Sequence, residues 1–123
     1  MNEKEFDRKL EAEKWLYNYK SIKAGIESLK EEYTVLNDDG CGIEHIDSKL
    51  DLLNNRIKIM RRKIDQIDRA LNSLSKVERE VITYACIDGM YYYEFTYKVY
   101  KSERQCKRIK KRALDKIAIA LGL

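Results

Sequence analysis

Two runs of apolar residues at heptad spacing constrain the fold of this chain more than any other feature. The first run steps by four and three residues through Trp15, Tyr19, Ile22, Ile26, Leu29, Tyr33 and Leu36. The second run repeats the alternation through Ile46, Leu50, Leu53, Ile57, Met60, Ile64, Ile67, Leu71 and Leu74. This spacing is typical of helices that pack along one seam. Because ordering each residue costs roughly 1–2 kcal/mol, such a helix needs a partner that buries its seam.

A short polar segment, residues 37–42, separates the two runs, and its Asn, Asp and Gly residues predict a turn. The runs are similar in length and flank this turn, so each is the nearest partner for the other. We therefore predict a long antiparallel, coiled-coil-like helical hairpin within residues 1–74, which would serve interaction or dimerisation. A coiled coil between two chains, giving a homodimer through the same residues, is the alternative.

The composition supports a helical fold and a division of charge. The chain has no proline and five glycines among 123 residues, and this scarcity of loop-forming residues predicts an all-α fold. Residues 1–74 hold 14 Lys and Arg against 15 Asp and Glu, whereas residues 75–123 hold 11 against 6. A local positive charge is typical of a nucleic-acid-binding module joined to a neutral one.

Residues that could carry catalysis or bind metal are sparse. The cysteines (Cys41, Cys86 and Cys106) lie far apart with no CxxC pair, and His45 is the single histidine. We therefore expect no catalytic residues, no metal site and no cofactor, and we do not expect an enzyme. Reduced thiols, a polar N-terminus and the lack of an apolar run near the ~20 residues of a membrane span predict a cytoplasmic protein without membrane association.

Residues 75–123 carry the local signals of three helices. Two capping boxes, in which a serine is followed three residues later by Glu or Gln, predict helix starts at Ser75 and Ser102. Gly89 predicts the end of the first helix, and a short apolar pattern occupies residues 90–99. These signals predict a three-helix unit of the helix-turn-helix kind.

The last of these helices combines an apolar underside with a cationic front. Its apolar residues recur at helical spacing at Cys106, Ile109, Ala113 and Ile117. Its basic residues are Arg104, Lys107, Arg108, Lys110, Lys111, Arg112 and Lys116. A helix of this shape fits the major groove of DNA, which is wide enough for one helix. The alternative is a solvated surface helix with a basic bias.

Several segments of this part of the chain resemble region 4 of the sigma-70 family of transcription factors. They are residues 74–82 (LSKVEREVI), 88–89 (DG), 94–95 (EF), 102–105 (SERQ) and 112–114 (RAL). Their order and spacing carry the resemblance, which covers about the last 50 residues of the chain.

The chain also resembles the small phage and prophage transcriptional regulators of the ArpU/RinA type. In these proteins a region-4-like helix-turn-helix follows a long helical part, and residues 14–29 are similar to their opening. The resemblance implies a sequence-specific DNA-binding activator or sigma-like regulator of phage or prophage genes. Its partners would be double-stranded promoter DNA and RNA polymerase.

The resemblance further implies which residues contact DNA. By position, the residues that read bases are Glu103, Arg104, Lys107 and Arg108. Apart from the resemblance, we expect Lys110, Lys111 and Arg112 to meet phosphates or solvent and Lys101 and Ser102 to contact phosphates. The sequence departs from the family pattern at Thr96, where alanine is usual, and at Tyr100 or Lys101, where the turn usually has glycine. A tyrosine would strain a left-handed turn, so we expect either a repacked turn or a helix one residue longer.

A protein-interaction module is the rival function. In this interpretation the chain is a coiled-coil adaptor or an anti-sigma-like protein, and its basic helix binds an acidic protein partner. A cluster of tyrosines leaves both functions open: Tyr91, Tyr92, Tyr93, Tyr97 and Tyr100. These residues predict either core and interface packing or a surface that contacts phosphate or docks polymerase.

Overall fold

The computed structural model describes residues 3–39 and 46–123, and every regular element in these ranges is helical. The helices are α1 (Glu3–Tyr17), α2 (Tyr19–Asp39), α3 (Ile46–Asn72), α4 (Lys76–Ile82), α5 (Tyr92–Val99) and α6 (Glu103–Ala120). A π-helical turn, Thr83–Ile87, follows α4 directly. The prediction of an all-α fold is confirmed. Of the helices that the structure describes, none combines the length and apolar character needed to cross a membrane.

The turn predicted between the two heptad runs begins at Asn37, but its first three residues belong to a helix. Asn37 and Asp38 are still helical, because α2 continues to Asp39. The remaining residues of the predicted turn, including Cys41, lie outside the described residues, and so does His45.

The chain forms two compact units, and they do not follow the predicted division at residue 74. One unit combines Met1–Tyr19 with Gln66–Leu123, and the other is Lys20–Asp65. The cause is a buried cluster in which Ala12 and Leu16 of α1 pack with Ala113 and Ile117 of α6. The first helix and the end of α3 therefore belong to the same core as the C-terminal helices.

The heptad run from Trp15 to Leu36 predicts one unbroken helix, but the helix is interrupted at Asn18, where a single turn residue separates α1 from α2. The interruption adjoins the boundary between the units at Tyr19 and Lys20. Tyr19, the first residue of α2, still packs against the core that contains Ala12 and Leu16 of α1, and the second unit begins at Lys20. A heptad pattern alone did not reveal this break, since the apolar spacing passes through it unchanged.

In the unit Lys20–Asp65, the seam residues of both runs face inward. Ile26 and Leu29 of α2 and Leu53, Ile57 and Ile64 of α3 are buried. The two helices approach closely at Gly25, where an added Cβ would lie 2.6 Å from the Cε atom of Met60. An alanine at this position would therefore require the methyl group of Met60 to move.

In the other unit, two clusters of buried side chains support α6. The first joins α6 to α1, the end of α3 and α4, with Leu16, Ile67 and Ile82 almost fully buried. The second joins α6 to α4 and α5 through Val81, Phe95, Val99, Cys106 and Ile109. The last helix is thus held from two sides.

Candidate nucleic-acid interface

Both predicted capping boxes are present, and they fix where α4 and α6 begin. At α6, the Gln105 N–H donates to Ser102 Oγ (3.1 Å) and the Ser102 N–H donates to Gln105 Oε1 (2.9 Å). At α4, the Glu78 N–H donates to Ser75 Oγ (3.4 Å) and the Ser75 N–H donates to Glu78 Oε1 (2.9 Å). Each pair satisfies two N–H groups near the helix start.

The turn before α6 contains a tyrosine in a left-handed conformation. Helix α5 ends at Val99, and Tyr100 has φ 55° and ψ 39°. It is the only non-glycine residue with positive φ among residues 3–39 and 46–123. The helix is therefore not a residue longer, and Tyr100 occupies a conformation that costs a residue with a Cβ atom roughly 1–2 kcal/mol.

The predicted apolar underside of α6 is confirmed. Its buried residues are Cys106, Ile109, Ala113, Leu114, Ile117 and Ala118. Burial of this stripe turns the opposite side of the helix to solvent.

Four cations share the solvent-facing side of α6. Arg104, Arg108, Lys111 and Arg112 are all exposed. Within the part of the chain that the structure describes, no carboxylate forms an ion pair with any of the four. They recur at three- and four-residue spacing, which places them on neighbouring turns of one face. This surface, which we call the cationic face, can bind anions without breaking an existing ion pair.

The other basic residues of α6 have partners. Lys107 Nζ lies 3.8 Å from Glu103 Oε1 and 5.6 Å from the centre of the Tyr92 ring. Glu103 and Lys107, both predicted to contact bases, therefore contact each other on the exposed first turns of the helix. Lys116 is paired with Glu78.

Lys110 lies apart from the cationic face and packs against α1. Its Nζ atom is 3.4 Å from Glu13 Oε1, and its side chain is only 26% exposed. Burial lowers the pKa of Lys110, but Cys86, Glu13 and Tyr92 together outweigh that effect and raise the pKa above its usual value. A phosphate contact by Lys110 stays a prediction, and it would compete with the Glu13 ion pair.

A second ion pair joins the same two helices and was not predicted from the sequence. Lys9 Nζ lies 3.3 Å from Asp115 Oδ1. The signal for this packing was present in α1, where Lys9 and Glu13 flank Ala12 and Leu16 at helical spacing. The heptad run through Trp15 and Tyr19 runs along the same helix, so the sequence pattern alone does not separate the two faces.

A shallow groove beside the turn brings together residues from both predicted sets. It has a volume of about 250 Å³ and is lined by Lys101, Gln105, Arg108, Ile109 and Arg112. Arg108 was predicted to read bases, whereas Lys101 and Arg112 were predicted to contact phosphates. Three cations around a partly apolar floor form a site that suits an anionic group. Ser102 is exposed, and its hydroxyl accepts the Gln105 N–H of the cap.

The tyrosines of α5 and its flanks are mostly on the surface. Tyr91, Tyr93, Tyr97 and Tyr100 are between 67% and 91% exposed, whereas Tyr92 is half-buried. The rings of Tyr91 and Tyr93 stack with their centres 5.7 Å apart. Core packing therefore explains only Tyr92, and the other four rings are available to a partner.

Groups that could bind metal do not cluster in the described ranges. No set of three or more His, Cys, Asp or Glu side chains there could hold an ion. Cys86 and Cys106 are free and buried. Burial raises the pKa of the Cys86 thiol to about 11, which keeps it protonated and unreactive at neutral pH.

Comparisons of the chain with protein-family models, with curated proteins and with solved structures find no match.

Proposed function

We propose that the protein is a sequence-specific DNA-binding transcription regulator in which α4, α5 and α6 act as a helix-turn-helix. The single observation that carries this proposal is the cationic face of α6. Its four cations have no carboxylate partners among the described residues, although Lys107, Lys110 and Lys116 of the same helix are paired. Four neighbouring cations without carboxylates to neutralise them give this face a positive potential, which would attract the phosphates of DNA.

In this proposal α6 lies in the major groove. Arg104 and Arg108 are one turn apart near the start of the helix, where a recognition helix meets base edges. An arginine can bond bidentately to guanine and discriminate against the wrong base by about 1–3 kcal/mol. Lys101 and Arg112, which line the groove beside the turn, would hold phosphates and fix the position of α6 along the DNA.

The resemblance to the ArpU/RinA type extends the proposal to promoters of phage or prophage genes, with RNA polymerase as the partner.

We also propose that α2 and α3 form an antiparallel hairpin. Gly25 of α2 lies beside Met60 of α3, and Tyr33, further along α2, lines a groove with Asn54 and Ile57, which come earlier in α3. The two helices therefore run in opposite directions. This hairpin would provide the contact surface for polymerase.

The test is a pair of charge-matched double variants in a duplex-DNA shift assay with randomised sequences. Arg104→Ala/Arg108→Ala removes two cations of the cationic face, and Arg61→Ala/Arg62→Ala removes two exposed cations of α3. We expect the first variant to lose sequence-selective binding by at least tenfold and the second to retain it. Equal losses would mean that net charge alone attracts DNA.

A protein-interaction module is the second candidate, and the four exposed tyrosines favour it. Tyrosine is enriched in protein interfaces because it offers an apolar ring with a polar end. If the wild-type chain fails to bind any duplex at low salt, the DNA-binding proposal is wrong, and the cationic face would bind an acidic protein.

A further inference from the structure

Helix α1 presents two apolar faces, and only one of them is covered. Ala12 and Leu16 are fully buried in the cluster with α6. On a different face, Phe6, Leu10 and Tyr17 are 56%, 43% and 75% exposed. Their spacing of four and seven residues places them in one line along the helix. We call these three residues the outer stripe.

The residues of the two heptad runs are already covered within the chain and do not need the outer stripe as a partner. Every residue of both runs is buried or half-buried within the chain. A homodimer built on the seams would therefore have to open the fold. The outer stripe is free of that cost, because its side chains already face solvent.

The charges beside the outer stripe are complementary to a second copy of themselves. Asp7 and Lys14 lie two helical turns apart on the same flank, and both are exposed. Neither forms an ion pair with a residue in the described ranges. In an antiparallel pair of α1 helices centred near Leu10, each Asp7 would face Lys14 of the second copy, twice by symmetry. In a parallel pair, like charges would face each other, which is unfavourable.

We propose that a second copy of this chain docks on the outer stripe through an antiparallel, twofold-symmetric pairing of the two α1 helices. The contact of one 15-residue helix per copy is smaller than the ~800 Å² per partner of a standard interface. The association is therefore concentration-dependent, with monomer and dimer in exchange at micromolar protein.

The pairing has a consequence for the cationic face. Two ion pairs join α6 to α1: Lys9 with Asp115, at an N–O distance of 3.3 Å, and Lys110 with Glu13, at 3.4 Å. Two paired α1 helices would thus carry two α6 helices related by the same twofold axis. One small recognition helix makes too few DNA contacts for the roughly 10⁻⁸ M affinity of specific recognition, and a second copy of the protein doubles the number of contacts. This consequence, an inverted-repeat DNA site, rests on the proposed function, whereas the association itself does not.

The experiment is sedimentation velocity of the full chain without DNA, across a range of protein concentrations. Asp7→Lys and Lys14→Asp should each abolish the concentration-dependent dimer, because each places like charges opposite one another. An equimolar mixture of these two variants should restore it, since both facing pairs then become opposite in sign. Leu10→Lys should also abolish the dimer, and circular dichroism should show unchanged helix content in all variants.

Ile59→Lys is the matched control, because Ile59 is an exposed apolar residue of α3 at 58% outside the outer stripe. It should leave the dimer intact. A wild-type chain that stays monomeric at every concentration, a mixture that stays monomeric, or a dimer lost only in Ile59→Lys would overturn the proposal. The absence of DNA keeps these outcomes separate from the shift assay.

Discussion

Lys116 Nζ lies 3.0 Å and 2.9 Å from the two carboxylate oxygens of Glu78, and this contact joins α6 to the first turn of α4. The same carboxylate accepts the Ser75 N–H at 2.9 Å. Burial raises the pKa of Glu78, but the hydrogen bonds from Lys116 and Ser75 together outweigh it and hold the pKa below its usual value. One side chain thus closes a helix cap and positions the helix that carries the cationic face.

The first prediction concerns Glu78→Gln. Glu78 contributes stability above its ordinary pKa of 4.5, and that contribution is lost as pH falls through the lowered folded-state value. We expect the variant to lose about 1–3 kcal/mol of unfolding free energy at pH 7. As the pH falls below 4.5, the unfolding free energy of the variant should decrease less than that of the wild type. Urea unfolding at several pH values measures both effects.

Glu103→Gln is the control for this prediction, because Glu103 makes an exposed i,i+4 pair at 3.8 Å. Its unfolding free energy should change by less than about 0.5 kcal/mol. Equal pH dependence in the wild type and in Glu78→Gln would show that other groups dominate acid unfolding.

The second prediction concerns the left-handed residue Tyr100. Tyr100→Gly removes the strain of a Cβ atom at φ 55°, which stabilises the folded state. Because glycine also gives the unfolded chain more conformational freedom, we expect a net stabilisation between zero and about 1 kcal/mol. Tyr97→Gly, in the exposed interior of α5, should destabilise by about 1 kcal/mol. Thermal unfolding compares the two variants, and destabilisation of the same size in both would contradict the left-handed turn.

The third prediction concerns Gly25. Alanine gains about 1 kcal/mol of helix propensity over glycine, but its Cβ would meet Met60 Cε at 2.6 Å. Because that methyl is the end of a flexible side chain, we expect Gly25→Ala to stabilise by a few tenths of a kcal/mol, less than the full propensity gain. In a Met60→Ala background the full gain should appear, and an identical effect in both backgrounds would rule out the contact.

The fourth prediction separates reading from positioning on the cationic face. Arg108→Ala should weaken the best DNA sequence and broaden selectivity, because it removes a bidentate base contact. Lys111→Ala should weaken all sequences alike and reduce the salt slope by about 1. Binding measured on two duplexes at several salt concentrations distinguishes them, and equal behaviour of the variants would refute the division of roles.

The candidate site could be predicted only in part. The capping boxes and the underside of α6 followed from the sequence, since both depend on residues within about two turns of each other. The pairing of Lys110 with Glu13 did not, because it depends on α1 packing against α6. Arg112, predicted to contact phosphate, lies on the same face of α6 as Arg104 and Arg108 because the three are four residues apart, so the two predicted sets of residues overlap on one surface.

The amino-acid sequence by itself determined the helical class, the starts of α4 and α6 and the end marked by Gly89, which has φ 64°. These features are local, because caps, glycine conformations and apolar periods act over a few neighbouring residues. The tertiary structure alone decided the break at Asn18, the grouping of α1 with the C-terminal helices and the choice of which cations stay unpaired. Those outcomes depend on residues far apart in the chain. Glu78 and Lys116, for example, are 38 residues apart, and they contact each other only because α4 and α6 pack in the same core.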